Sequence, residues 1–186
     1  MEAIVIGASA GGPAALKVIM AGLHADIHVA VIIVVHVGAD AEDLMSPLLD
    51  GAGKWPVTTA RERISIEPGH AYVAPPGYHL LIERDRHFSL SVDKRICFSR
   101  PSIDVLFESA ADAYGANLVG VLLTGANADG AAGMKRIRQA GGAAFIQDPA
   151  DADVPIMPQA ALDMAGADLC APLPELVAAL NRMCRT

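Results

Sequence analysis

Three polar residues stand where short apolar runs end. Ser9 follows Ile4-Val5-Ile6-Gly7-Ala8, His36 follows Ile32-Ile33-Val34-Val35, and Asp129 comes shortly after Val121-Leu122-Leu123-Thr124-Gly125. Runs of this kind read as strands buried on both faces, and open α/β sheets bind their ligands beyond the carboxyl ends of such strands. A hydroxyl, an imidazole and a carboxylate are the groups that acyl transfer needs. Serine is a weak nucleophile until an imidazole takes its proton, and a carboxylate must hold that imidazole in the correct tautomer. The chain order Ser, His, Asp is no obstacle, because such triads are defined by geometry and roles.

Each of the three has a plainer use. Gly7-x-Ser9-x-Gly11 matches a nucleophile turn, but Gly7-x-Ser9-x-x-Gly12 is also a dinucleotide fingerprint whose middle glycine has become serine. A serine there also suits the cap of the helix that Pro13 opens. His36 is readable as an ordinary strand-end histidine, and Asp129 as a helix N-cap before Gly130-Ala131-Ala132. A nicotinamide enzyme wants an acidic residue at the end of its second strand. This chain has His36 there, with Asp40 a few residues late, which weakens the nucleotide reading. His24, His28, His70, His79 and His87 have no acid or cysteine at ligand spacing and read as surface or packing residues. No H-E-x-x-H or His/Cys cluster occurs, so no metal or other cofactor is expected.

The elements that must position these residues follow from composition and periodicity. With 186 residues, 53% hydrophobic and 19% charged, the chain suits one domain with a sizeable core. A net charge of -7 argues against nucleic acid or an anionic membrane as the main partner. Arg61/Arg63, Arg84/Arg86, Lys94/Arg95 and Lys135/Arg136/Arg138 read as solvated faces. Cys97, Cys170 and Cys184 have neither an even count nor metal spacing, which suggests a reducing cytosol. The longest apolar stretch, 29–35, is far short of the ~20 residues of a membrane span.

Buried strands are predicted over 3–6, 28–35, 117–123 and 143–146, with another over 57–60. Helices are predicted over 13–23, 41–49, 101–114, 129–139, 158–164 and 174–183, the fourth-last of these capped by Ser102 and stopped by Gly115. The stretch 61–100, with short runs at 72–74, 78–82 and 88–92 between Pro/Gly turns, reads as an antiparallel insert or edge. The expected fold is a doubly wound, mostly parallel α/β sheet with helices on both faces, in three layers, αβα, with a short antiparallel insert.

Several motifs resemble one family in order along nearly the whole chain. They are Ile6-Gly7-Ala8-Ser9-Ala10-Gly11-Gly12, Val34-Val35-His36, Ala71-Tyr72-Val73-Ala74-Pro75-Pro76-Gly77-Tyr78-His79, Pro101-Ser102-Ile103-Asp104-Val105-Leu106-Phe107 and Leu123-Thr124-Gly125-Ala126-Asn127-Ala128-Asp129-Gly130. With Gly141-Gly142, Gln147-Asp148 and Met157-Pro158, the chain resembles the catalytic domain of CheB-type chemoreceptor methylesterases.

The resemblance implies a cytoplasmic serine esterase that hydrolyses glutamate γ-methyl esters on the cytoplasmic helices of chemoreceptors, and that in many relatives also deamidates glutamine. Ser9 falls on the family's nucleophile, His36 on its general base and Asp129 on its orienting acid. The N–H groups of Ala10, Gly125 and Ala126 become oxyanion candidates, and Met157 a pocket candidate. A separate response regulator or receptor-coupling protein is an expected further partner.

The chain departs from the family's pattern in four places: Val35 and Val37 flank the histidine in place of the common Gln and Met, and Ala126-Asn127 replaces Met-Gly. The expected domain organisation is one catalytic domain over 1–186, without a receiver domain. Two other readings stay open: a catalytically silent receptor-binding module of the same fold, and a Rossmann-type nucleotide-binding protein.

Overall fold

A computed structural model describes residues 1–36 and 44–184. Val37, Asp40 and the start of the helix expected over 41–49 lie outside the described residues. The chain begins with β1 (Ala3–Ala8), α1 (Gly12–Gly22) and β2 (Ala30–Val35). Next come α2 (Met45–Asp50), β3 (Val57–Thr59), β4 (Ala71–Val73), β5 (His79–Ile82) and β6 (Phe88–Ser91). The second half runs α3 (Ile103–Tyr114), β7 (Leu118–Leu122), α4 (Ala131–Gln139), β8 (Ala143–Gln147), α5 (Ile156–Ala165), β9 (Leu169–Ala171) and α6 (Leu173–Met183).

Seven strands form one sheet in the order β3-β4-β2-β1-β7-β8-β9, every pair parallel. The antiparallel hairpin β5-β6 stands apart from it. Because β1 and β2 are buried on both faces, their side chains alternate between two cores. Ile4, Ile6, Val31 and Ile33 meet Leu16 of α1 and Leu180 of α6, while Val5, Ile32 and Val34 meet Phe107 of α3 and Met134 of α4. The result is three layers, with the sheet between the α1/α2/α6 side and the α3/α4/α5 side. No helix among the described residues is long and apolar enough to cross a membrane.

The doubly wound expectation holds, with one reassignment. Tyr72-Val73 does not belong to an antiparallel insert but to β4, a parallel strand of the main sheet. The connection from β3 to β4 carries no helix, so its Pro/Gly-punctuated sequence imitates a meander. β9, absent from the sequence expectation, is only three residues long and too short to show a period. Pro47 is tolerated because α2 starts at Met45, which puts it in the first turn, where its missing N–H has no partner to lose.

Candidate active site

Register brings the first two residues together. Ala8 pairs with Val35, and the ladder continues through His36 N–H to the Ala8 carbonyl at 3.1 Å. On the other side of β1, Ser9 N–H donates to the Thr124 carbonyl at 2.9 Å. Ser9 therefore sits at the switch point of the sheet, between the ends of β2 and β7. The turn that carries it depends on Gly11, which takes a left-handed conformation (φ 77) with a Cβ position 2.8 Å from Asp153. Gly11, not Ser9, is the N-cap of α1, and no side chain caps that helix. The capping use of Ser9 is thereby lost, and its hydroxyl stays available.

His36 Nδ1 lies 3.2 Å from Ser9 Oγ, and His36 Nε2 lies 2.7 Å from Asp129 Oδ2. A carboxylate at that distance accepts a hydrogen bond from Nε2–H, which leaves the Nδ1 lone pair facing the hydroxyl. Asp129 is fully buried and accepts three more hydrogen bonds, from Ser102 Oγ (2.9 Å), Ile103 N–H (2.8 Å) and Asp104 N–H (3.0 Å). Burial pushes its pKa up, but the His36 contact and the two backbone N–H groups outweigh that and hold it below the ordinary 3.8. The first turn of α3 also points its positive end at this carboxylate.

Asp129 does not cap its own helix; Gly130 holds the N-cap position of α4. The capping is exchanged. Asp104, in the first turn of α3, accepts from Gly130 N–H (2.9 Å) and Gly133 N–H (2.7 Å) at the start of α4. Burial, with the negative charge of Asp129 beside it, raises Asp104 to about 6 against the lowering effect of those two N–H bonds.

Two further parts escaped sequence reasoning. Ser99 Oγ stands 3.3 Å from His36 Nδ1, a second hydroxyl on the same nitrogen. It is presented by a two-residue turn, Cys97-Phe98, closed by paired bonds between Ile96 and Ser99 (3.1 and 2.8 Å). Both turn residues have positive φ (48 and 65), where glycine or asparagine is usual and other side chains cost roughly 1–2 kcal/mol each. Its glycine-free sequence hid the turn. Desolvation, followed by the charges of Asp129 and Asp104, pushes the Cys97 thiol above its ordinary value, away from the thiolate form. His79, read as a surface or packing residue, is buried and fixes the segment before α3: its Nδ1 accepts from Ser102 N–H and its Nε2 donates to the Lys94 carbonyl.

The oxyanion candidates divide. Gly125 N–H is committed to the Val154 carbonyl at 3.0 Å, so it is not free for a ligand. The N–H groups of Ala10 and Ala126 have no acceptor among the described residues, and both residues are exposed at the site. Met157 is fully buried, packed beneath Gly125 rather than lining a pocket.

Residue types alone do not make such a site. On the β5-β6 side Ser65 Oγ lies 2.9 Å from His87 Nε2, and His87 Nδ1 lies 3.3 Å from Asp85, beside a cavity of about 480 Å³. The Asp85 side chain is 74% exposed, against 0% for Asp129. Water solvates and screens the former, so it neither fixes nor polarises its imidazole.

Architecture and row together define a class: an α/β protein with a hydroxyl-imidazole-carboxylate row at the switch point of a doubly wound sheet. Residues 4–180 match the family model described as CheB methylesterase. The chain is 44% identical over 182 residues to a Leptospira interrogans protein carrying the provisional name protein-glutamate methylesterase/protein-glutamine glutaminase, covering 98% of this chain and 94% of that one. A Geobacter metallireducens protein-glutamate methylesterase/protein-glutamine glutaminase is 38% identical over 98% of this chain and 53% of its own length, so the chain spans about half of that relative. The crystal structure of the Thermotoga maritima CheB methylesterase catalytic domain superposes with a TM-score of 0.94 at 26% identity, covering 98% of each chain. The chain belongs to the CheB methylesterase family, and with it to the carboxylic ester hydrolases. That membership sets aside the nucleotide-binding reading of the glycine turn.

Proposed function

We propose that this domain hydrolyses glutamate γ-methyl esters on the cytoplasmic helices of chemoreceptors, with Ser9 as nucleophile, His36 as general base and Asp129 as orienting acid. The observation that carries the reading is the unbroken row from Ser9 Oγ through His36 to a fully buried Asp129, at 3.2 and 2.7 Å. Ser9 Oγ attacks the ester carbonyl carbon while its proton passes to His36 Nδ1. The oxyanion is met by N–H groups at the turn, of which Ala10 and Ala126 are free to donate. His36 then gives the proton to the departing methoxide, releasing methanol and leaving a glutamyl ester on Ser9. Water, deprotonated by the same nitrogen, attacks that ester and releases the glutamate carboxylate and the Ser9 hydroxyl. With a glutamine substrate the leaving group is ammonia, and the steps are the same. Asp129 keeps its negative charge throughout and stabilises the imidazolium that forms.

The test is methanol release from a methylated receptor fragment by the wild type and by Ser9→Ala. Release is expected to fall by about 10³-fold or more in the variant. Equal release would remove the serine mechanism, and absence of release by the wild type would favour the silent binding module.

A further inference from the structure

Of the four phenylalanines, Phe88, Phe107 and Phe145 are buried, whereas Phe98 is 95% exposed. It stands at the tip of the positive-φ turn whose next residue, Ser99, touches the ring nitrogen that faces Ser9. Residues 92–98 are all exposed, and they carry Val92, Ile96 and Phe98 together with the cations Lys94 and Arg95 and one anion, Asp93, whose carboxylate accepts from Ser91 Oγ. An apolar tip with a net positive flank thus adjoins the row through Ser99, in a chain whose net charge is -7. A folded protein gains nothing from an aromatic ring left in water on a strained backbone, and such strain collects where a site must meet a ligand.

We infer that Phe98 is a docking contact that seats an acidic amphipathic helix of the protein substrate, with an apolar residue of that helix one turn from the glutamyl ester. This inference rests on the esterase reading above. A helix is ~10 Å across, so one lying over Ser9 to deliver a side-chain ester must also pass over the adjoining turn. Residues three or four apart share a helix face, which sets an apolar side chain beside the ester at the right spacing. Further glutamates on that helix would meet Lys94 and Arg95.

Two substrates separate docking from chemistry: a methylated receptor cytoplasmic fragment, and a short unstructured peptide carrying one glutamate γ-methyl ester. Phe98→Ala is expected to lower kcat/KM on the receptor fragment by about tenfold, mainly through KM, while the short peptide is hydrolysed at the wild-type rate. Phe98→Asn, which suits the turn but is polar, should lose as much, and Phe98→Leu should recover most of it. An unchanged rate on the fragment, or an equal fall on both substrates, would overturn the docking role. So would sedimentation showing that the wild type self-associates through Phe98 and the variant does not, because the ring would then face a second copy. Ser9→Ala run alongside keeps the two ideas apart: if it retains activity on both substrates, the esterase reading fails independently of Phe98.

Discussion

Asp129 is the residue on which most depends. Its two oxygens accept from His36, Ser102, Ile103 and Asp104, so the group that orients the imidazole also ties down the start of α3. Asp129→Asn would turn an amide NH₂ toward at least one of these donors. We expect it to lower ester hydrolysis by about 10⁴-fold, the scale seen when a serine protease's orienting acid is amidated. It should also cost about 1–3 kcal/mol of stability through the unmade buried bond. Rates and urea midpoints measured on the same preparation check both, and a variant that keeps its activity would remove Asp129 from the mechanism. The three members of the row were legible because each closes an apolar run. Ser99 and the second task of Ser102 were not, since neither residue closes an apolar run and only the tertiary fold sets them there. Gly125 misled because its N–H is taken by a loop that returns from Val154.

Between elements, the exchange of caps makes α3 and α4 mutually dependent, and it gives the protein a specific acid response. Asp104 is raised above its ordinary value, so folding favours its neutral form. The stability this supplies is complete below pH 3.8 and is lost as pH rises through about 6. Asp129, held below its ordinary value, acts in the opposite sense: its contribution is present above 3.8 and lost as pH falls. Between pH 4 and 7 the urea midpoint of the wild type should therefore decline more steeply than that of Asp104→Asn, whose Oδ1 can still accept from Gly130 and Gly133. Parallel slopes would show that Asp104 is not the group responsible. Most elements announced themselves through period and punctuation, as with the Ser102 cap and the Gly115 stop of α3. β4 did not, because a parallel strand reached without a helix carries the same turn residues as a hairpin.

At the scale of the molecule, one sheet serves two cores, and the side facing α3 and α4 is also the support of the row. Phe107, fully buried there, should cost about 3–5 kcal/mol when truncated to alanine, while Val18→Ala on the outer face of α1, 44% exposed, should stay within about 0.5 kcal/mol. Denaturant midpoints with a common slope test this, and similar costs at the two sites would contradict the layer assignment. The three-layer architecture was readable from alternating buried runs and helices because burial on both faces leaves an unbroken apolar signal. Which faces would meet, and over what distance Ser9 would find its partners, depends on register that no single run encodes. The reciprocal placement of Asp104 and Asp129 makes the orientation of the imidazole a property of an interface. Each opening turn finds its carboxylate on the other helix's side, so the acceptor that His36 faces is held by the packing of α3 against α4 and by neither helix alone.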